Sequence, residues 1–421
     1  MSPARRQAVK TLARQFRSAP NLAVMSVDTS TLDPRDARLA VAIHRTVLQR
    51  WLTLEYLLDQ HMRKPLRKAE PMMQAILLAG AAQIVFMRKI PAHAAIDESV
   101  GLAKQIIRAG AGKLANAVLR KLAEDVVGYE DDAEYVPGRD VLPGVPGVVR
   151  LARPLLPEAP DELLAVATSH PVELVRRWKN PELLMHSLQH APTIVRSDDT
   201  PPETLATPHQ RAGFYIWRST HTDLVEYLEA AGRGGRWVQD PTSAAPVAAT
   251  ADMTPKLIID FCAGRGTKSR QLAHLHPQAK IIATDPDPER FESLKQVPGI
   301  EAVSIEQMAQ YTGSADLLLL DVPCSNTGVL ARRLEARYRF HPGSLASLTQ
   351  LQREIAEQAA PLLAPGGAVL YATCSIEPEE NQQQAEALAD RLNRSITRSE
   401  QTLPGGAEAD YHDGGFFALM V

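Results

Sequence analysis

Three stretches of this 421-residue chain bring together residue types that can do chemistry. The first, Asp260-Phe-Cys-Ala-Gly-Arg-Gly-Thr-Lys268, is an apolar run ending in a Gly-x-Gly turn that opens a helix. Glycines let a backbone approach a ligand closely, and the free N–H groups of a helix start suit a carboxylate or phosphate. Asp285 ends the next apolar run, 19 residues after Gly266, the place from which a carboxylate accepts both hydroxyls of a ribose. The two features together imply a nucleoside cofactor. Spacing alone leaves a nicotinamide dinucleotide open, with Ser269 as the third small residue of such a fingerprint. The second stretch, Asp321-Val-Pro-Cys324-Ser-Asn-Thr-Gly328, follows four leucines that form a buried strand; Pro323 ends the strand and holds Asp321 and Cys324 at the sheet edge. The third, Tyr371-Ala-Thr-Cys374-Ser-Ile-Glu-Pro-Glu-Glu-Asn381, again ends a strand with a cysteine and enters a helix. Either cysteine alone could be a small core hydrophobe. Two at neighbouring strand ends, beside a carboxylate and a nucleoside site, point to thiol chemistry. Cys262, inside the first turn, reads as a packing residue, and none of the 12 histidines is spaced to form a metal pair with the cysteines.

The elements that must position these residues lie in the C-terminal half. The runs KLIIDF, KIIATD, EAVSI, DLLLLDV and AVLYATC alternate with helical stretches near 268–275, 288–296, 347–363 and 378–392. Such alternation predicts an α/β domain with a mostly parallel sheet, in which ligands sit beyond the carboxyl ends of the strands. The N-terminal third instead reads as helix after helix, with apolar residues at helical spacing and few strand signals. At this length more than one domain is expected. Residues 1–128 are assigned to an all-α domain, 129–149 to a Pro/Gly-rich acidic linker, 150–250 to a small α+β lobe that ends in a Gly/Arg-rich loop, and 251–421 to the α/β domain.

The net charge of −3 hides a division. Residues 1–125 carry 20 Lys and Arg against 10 Asp and Glu, and the remainder 26 against 39, which is +10 against −13. A basic segment on an acidic chain suits a polyanion, although a solvated helix face gives the same count. Hydrophobic residues at 45% and charged residues at 23% exclude a collagen-like or wholly disordered chain. Three widely spaced cysteines make no disulfide framework, which points to a reducing, cytoplasmic compartment. The longest uncharged run, Pro71 to Met87, has 17 residues with two glutamines and suits a buried helix, so no membrane association is expected.

The motifs Asp260–Lys268, Asp285, DVPCSNTGVL at 321–330 and YATCSIEPEEN at 371–381 resemble those of S-adenosylmethionine-dependent RNA cytosine-C5 methyltransferases. RRQAVKTLAR at 5–14, LLAGAAQIVFMRKIPAHAAIDESVGLAK at 77–104 and KLANAVLRKL at 113–122 resemble a NusB-like RNA-binding domain. The fusion of the two is similar to the bacterial 16S ribosomal RNA cytosine-C5 methyltransferases. The resemblance implies a multidomain protein, an all-α NusB-like domain plus an α/β Rossmann-like class I methyltransferase domain. It implies S-adenosylmethionine as cofactor and 16S RNA or a small-subunit precursor as partner. Cys374 would attack C6 of the cytosine, Cys324 would help release the product, and Asp321 would meet the N3 edge of the base. Cys262, Ala263, Gly264, Arg265, Gly266, Thr267, Lys268, Asp285, Glu306 and Asp321 would line the cofactor. Arg265 and Thr267 stand where the family usually has proline and glycine, and Asn326 where it usually has a small residue. A monomer without an obligate protein partner is expected. The competing readings are a catalytically silent ribosome-assembly or RNA-binding factor, which would have no need for either thiol, and a nicotinamide-dependent oxidoreductase, which would leave both cysteine motifs and the basic helical domain without purpose.

Overall fold

The computed structural model describes residues 2–230 and 235–421. The chain divides into two compact units: Met1–Gln189 with Arg333–His341, and His190–Arg332 with Pro342–Val421. Most of the Gly/Arg-rich loop, 231–234, lies outside the described residues.

The first unit begins with five helices, α1 (Pro3–Gln15), α2 (Pro34–Asp59), α3 (Pro71–Val85), α4 (Ala92–Ile106) and α5 (Ala111–Asp125). The uncharged run supplies α3, which is buried on nearly every side because its neighbours α1, α2, α4 and α5 all pack against it. Gly80 permits this closeness, since a Cβ there would stand 2.7 Å from a Leu119 methyl and 2.8 Å from the Ser99 hydroxyl. No helix among the described residues is long and apolar enough to cross a membrane.

The stretch 129–149 is not a linker. Strands β1 (Val126–Glu130), β2 (Val141–Pro143) and β3 (Val148–Leu151) form an antiparallel sheet in the order β1-β3-β2. Leu142, Val149 and Leu151 enter the same hydrophobic core as the helices, and the Tyr129 hydroxyl donates to the Ile84 carbonyl at 2.9 Å. Apart from Pro143, which ends β2, the prolines and glycines that suggested a linker lie between the short strands: a Cβ on Gly147, at φ +72°, would meet the Glu130 carbonyl at 2.0 Å. Nor is 150–250 one lobe. Helices α6 (Pro160–Thr168), α7 (Val172–Trp178) and α8 (Pro181–His186) stay with the first unit, and the second unit starts at His190. The segment Arg333–His341 also belongs to the first unit, where the fully buried Arg337 donates to the carbonyls of Ser187 at 3.1 Å and Gln49 at 3.3 Å.

The second unit opens with an antiparallel sheet of β4 (Ile194–Ser197), β5 (Ala206–Pro208), β6 (Phe214–Trp217) and β7 (Arg236–Val238), together with α9 (His221–Glu229) and α10 (Pro241–Ala248). The larger sheet follows: β8 (Leu257–Asp260), β9 (Lys280–Ala283), β10 (Glu301–Ala302), β11 (Ala315–Asp321), β12 (Leu363–Thr373), β13 (Ile396–Thr402) and β14 (Gly415–Met420), in the order β10-β9-β8-β11-β12-β14-β13. The first five are parallel and β14 runs antiparallel to both of its neighbours. Helices α11 (Thr267–Leu275) and α12 (Pro288–Leu294) and the longer helices Pro342–Ala359 and Gln382–Leu392 connect the strands. Leu318 and Leu320 face one hydrophobic cluster, Leu317 and Leu319 the other. A strand covered on both faces has no polar side, which is why the run reads as unbroken leucine.

The sheet in 126–151 makes a testable claim. Leu142→Ala is expected to cost about 3 kcal/mol in denaturant unfolding through the lost burial and the cavity left behind. A residue in a linker would change stability by less than about 0.5 kcal/mol.

Candidate active site

Register puts the chemistry at one edge. In the ladders Asp260 pairs with Leu319 of β11 and with Ala283 of β9, and Asp321 pairs with Ala372 of β12. The carboxyl ends of β9, β8, β11 and β12 therefore deliver Asp285, the glycine turn, Asp321 with Cys324, and Cys374 side by side.

The turn after β8 needs both glycines, with Gly264 at φ +59° and Gly266 at φ +83°. A Cβ on Gly266 would stand 2.8 Å from Val297 and 3.0 Å from Leu294, whereas Gly264 faces open space. The Gly264 N–H donates to one Asp285 oxygen at 2.9 Å, and the Asp287 N–H donates to the other at 2.9 Å. Asp260 is fully buried; one of its oxygens accepts from the Ser269 hydroxyl at 2.6 Å and the other has no partner, as has the buried Thr284 hydroxyl. Burial is the main cause that pushes the Asp260 carboxyl up to about 7, with Asp321 and Asp285 adding to it and Ser269 and Lys268 opposing. An open turn, a fixed carboxylate and orphaned buried oxygens fit a nucleoside ligand.

The two thiols lie next to this turn. Cys324 is buried and Cys374 half-buried, with Sγ atoms 3.1 Å apart. The hydrogen bond to Cys374, then burial, drives the Cys324 thiol well above its ordinary value. Lys268 Nζ donates to Asp321 at 2.7 Å and approaches the Ser243 hydroxyl at 3.5 Å. Burial opposes the Lys268 charge, but Asp321 outweighs it and raises the ammonium. Cys262 is half-buried against the hydrophobic core, and its thiol is raised first by burial and then by Asp260, Asp321 and Asp285. This agrees with a packing role.

A layer of polar groups holds the two cysteine loops. The buried Glu380 accepts from the Ser325 N–H at 2.8 Å, the Ser325 hydroxyl and the Gln352 amide at 3.2 Å. Asn381 binds the Ser375 carbonyl at 2.8 Å and accepts from the Thr373 hydroxyl at 2.5 Å. Gly328 lets the loops touch: its N–H donates to the Cys374 carbonyl at 3.0 Å, and a Cβ there would meet the Gly414 carbonyl at 2.5 Å. Arg332 bridges Asp413 at 2.5 Å and Asp240 at 3.2 Å, while Asp240 also caps α10 through the Thr242 N–H at 2.9 Å. Burial first, and then the neighbouring Asp413 carboxylate, push the Asp240 carboxyl up to about 6.

Of the residues expected at the cofactor, Ala263, Gly264, Gly266 and Lys268 form the turn and the helix start, with Asp285 bound to it. Arg265 and Thr267 are exposed on that turn. Glu306 is exposed in the short helix after β10, the strand beside β9, and its carboxylate is lowered by its own N–H and then by the Ser304 hydroxyl. Sequence reasoning missed Ser243, Asp240 and Asp413 and assigned no role to Glu380. The Asp-Pro pair at 240–241 was the available signal, since it marks a helix N-cap followed by proline at the first turn.

The description "16S rRNA methyltransferase RsmB/F" belongs to a family model that matches residues 249–412, and the NusB family model matches residues 2–124. Ribosomal RNA small subunit methyltransferase B of Vibrio cholerae is 30% identical over 407 residues, which span 92% of this chain and 90% of that protein. The protein of the same name from Salmonella typhi is 28% identical over 460 residues, spanning 99% and 97%. The crystal structure of PH0851 has the same fold, with a TM-score of 0.71 at 18% identity and coverage of 100% and 99%. With such a relative aligned along nine-tenths of both proteins, this chain belongs to the 16S rRNA methyltransferase RsmB/F family.

Proposed function

We propose that the protein transfers a methyl group from S-adenosylmethionine to C5 of a cytosine in small-subunit ribosomal RNA, through a covalent adduct between Cys374 and C6 of the base. The observation that carries this reading is the pair of thiols 3.1 Å apart at the ends of β11 and β12, one strand from the glycine turn. An aromatic C5 is too weak a nucleophile to take a methyl group. When Cys374 gives up its proton and forms the Sγ–C6 bond, the ring is saturated and C5 carries the electron density. The cofactor, when bound, supplies the methyl group. Transfer of the C5 proton to a solvent water and cleavage of the Sγ–C6 bond then restore the ring; the sulfur leaves as a thiolate with the bond's electron pair, and the Cys324 S–H donates to it. Asp321 holds the Lys268 ammonium at the N3 edge, where that positive donor offsets the negative charge that grows as the thiol adds. Asp285, fixed by the Gly264 N–H, would hold the ribose side of the cofactor, and the start of α11 would hold its methionine carboxylate.

The first unit supplies RNA phosphate contacts. Lys10, Arg14 and Arg17 line a groove of about 480 Å³ in its helical part, and cations so placed position a strand without reading its bases.

Trapping separates the two thiols. Cys324→Ala incubated with small-subunit RNA and S-adenosylmethionine is expected to accumulate a denaturation-resistant protein–RNA adduct, absent from Cys374→Ala and from the double variant. Absence of both adduct and methyl transfer would leave only a binding factor. Asp285→Ala is expected to weaken S-adenosylhomocysteine at least about tenfold in calorimetry, since a charged partner of the ribose contributes about 1.5–3 kcal/mol.

Asp260 predicts a pH effect on stability. Its folded value of about 7 lies above the ordinary 3.8, so the folded protein keeps a proton that the unfolded chain has released over that window. The stability from this group is full at low pH and lost as pH rises through 7. Asp260→Asn, which cannot ionise, should therefore gain stability relative to the parent between pH 5 and pH 8 in denaturant melts; a constant difference would contradict the assignment.

A further inference from the structure

We propose that Asn326 is a positioning residue for Cys374: its carboxamide holds the thiol in one orientation. The inference rests on the reading of Cys374 as the attacking group.

Asn326 sits in the left-handed region, at φ +61° and ψ 25°, a conformation that asparagine tolerates better than most residues. Its Nδ2 donates to the Cys324 carbonyl at 2.8 Å. A carbonyl only accepts, so this contact fixes which face of the amide is which. The Oδ1 atom is thereby turned toward Cys374, whose Sγ lies 3.3 Å away. Oδ1 also only accepts, so the Cys374 S–H must donate to it. With that proton committed, the 3.1 Å contact between the sulfurs is made by the Cys324 S–H pointing at the Cys374 sulfur. The order is Cys324 to Cys374 to Asn326, and it agrees with the thiol proton being held on Cys324.

The consequence is mechanical. Cys374 is the first residue beyond β12, and an unrestrained thiol there would share three staggered rotamers. A donor on one side and an acceptor on the other leave it one, and a misplacement of an attacking atom by about 1 Å can cost about a hundredfold in rate. This contact requires the carboxamide and is unavailable to the small residue usual at this position in the family.

The test uses the full-length protein and Asn326→Gly, because glycine adopts the left-handed region without strain and only the carboxamide is lost. The expected result is a kcat for RNA methylation about tenfold lower, with KM for RNA and S-adenosylhomocysteine affinity within twofold of the parent. Iodoacetamide should also alkylate Cys374 of the free variant at least about fivefold faster, read by peptide mass spectrometry. A merely structural residue would not speed alkylation while leaving ligand affinity intact. Asn326→Asp, which keeps an acceptor but puts a carboxylate against the Cys324 carbonyl, should not restore kcat. A glycine variant within twofold of the parent in kcat and alkylation would overturn the proposal, as would a raised KM for RNA at unaltered kcat. Methylation surviving in Cys374→Ala would instead defeat the functional reading itself, whatever Asn326 does.

Discussion

The parallel pairing of β11 with β8 on one side and β12 on the other is the constraint on which the rest depends. Leu317 to Leu320 are buried on both faces, so a one-residue slip would move every side chain to the opposite cluster. That register aligns the strand ends, with Asp260 opposite Leu319 and Asp321 opposite Ala372. The turn, the acid and the thiols come side by side because three strands stop together, each where a glycine turn, a proline or a cysteine loop interrupts the ladder.

Bringing these ends together concentrates like charge. Asp260, Asp285 and Asp321 converge around one lysine, and three ionised carboxylates would repel one another in a partly buried site. The structure resolves this in three ways. Burial keeps Asp260 protonated up to about pH 7, Lys268 pairs with Asp321, and backbone N–H groups hold Asp285. The same economy governs the Arg332 bridge, where one cation sits between Asp240 and Asp413. Glu380 extends the pattern, as its carboxylate gathers the Ser325 and Gln352 donors and ties the Cys324 loop to the start of the helix Gln382–Leu392.

Legibility differed between the two kinds of information. The parallel α/β domain, the helical N-terminal part and the strand-end motifs could be read because apolar period and punctuation are local properties. Residues 129–149, most of the antiparallel sheet, read as a linker because strands of three to five residues show too little alternation, and their turns share proline and glycine with true linkers. The boundary near residue 190 and the return of Arg333–His341 to the first unit left no local trace, since both depend on which distant surface a segment buries against. At the site Ser243 and Asp413 were missed for that same reason, and the Asp-Pro pair marks Asp240 as a helix cap but not as a partner of Arg332, which only folding places beside it.

The sequence by itself determined the chemistry available: two strand-end cysteines, the glycine turn, the acids and the lysine, and the basic N-terminal third. Residue type and spacing along a strand or turn suffice for that, because side-chain chemistry and backbone propensity act within a few residues. Tertiary structure alone decided which sulfur faces which, with Cys324 buried against Cys374 and Asn326 between the loops, and which carboxylates stay protonated. Those properties depend on burial and on partners about 50 residues away in sequence, and burial is a sum over neighbours that no local pattern encodes.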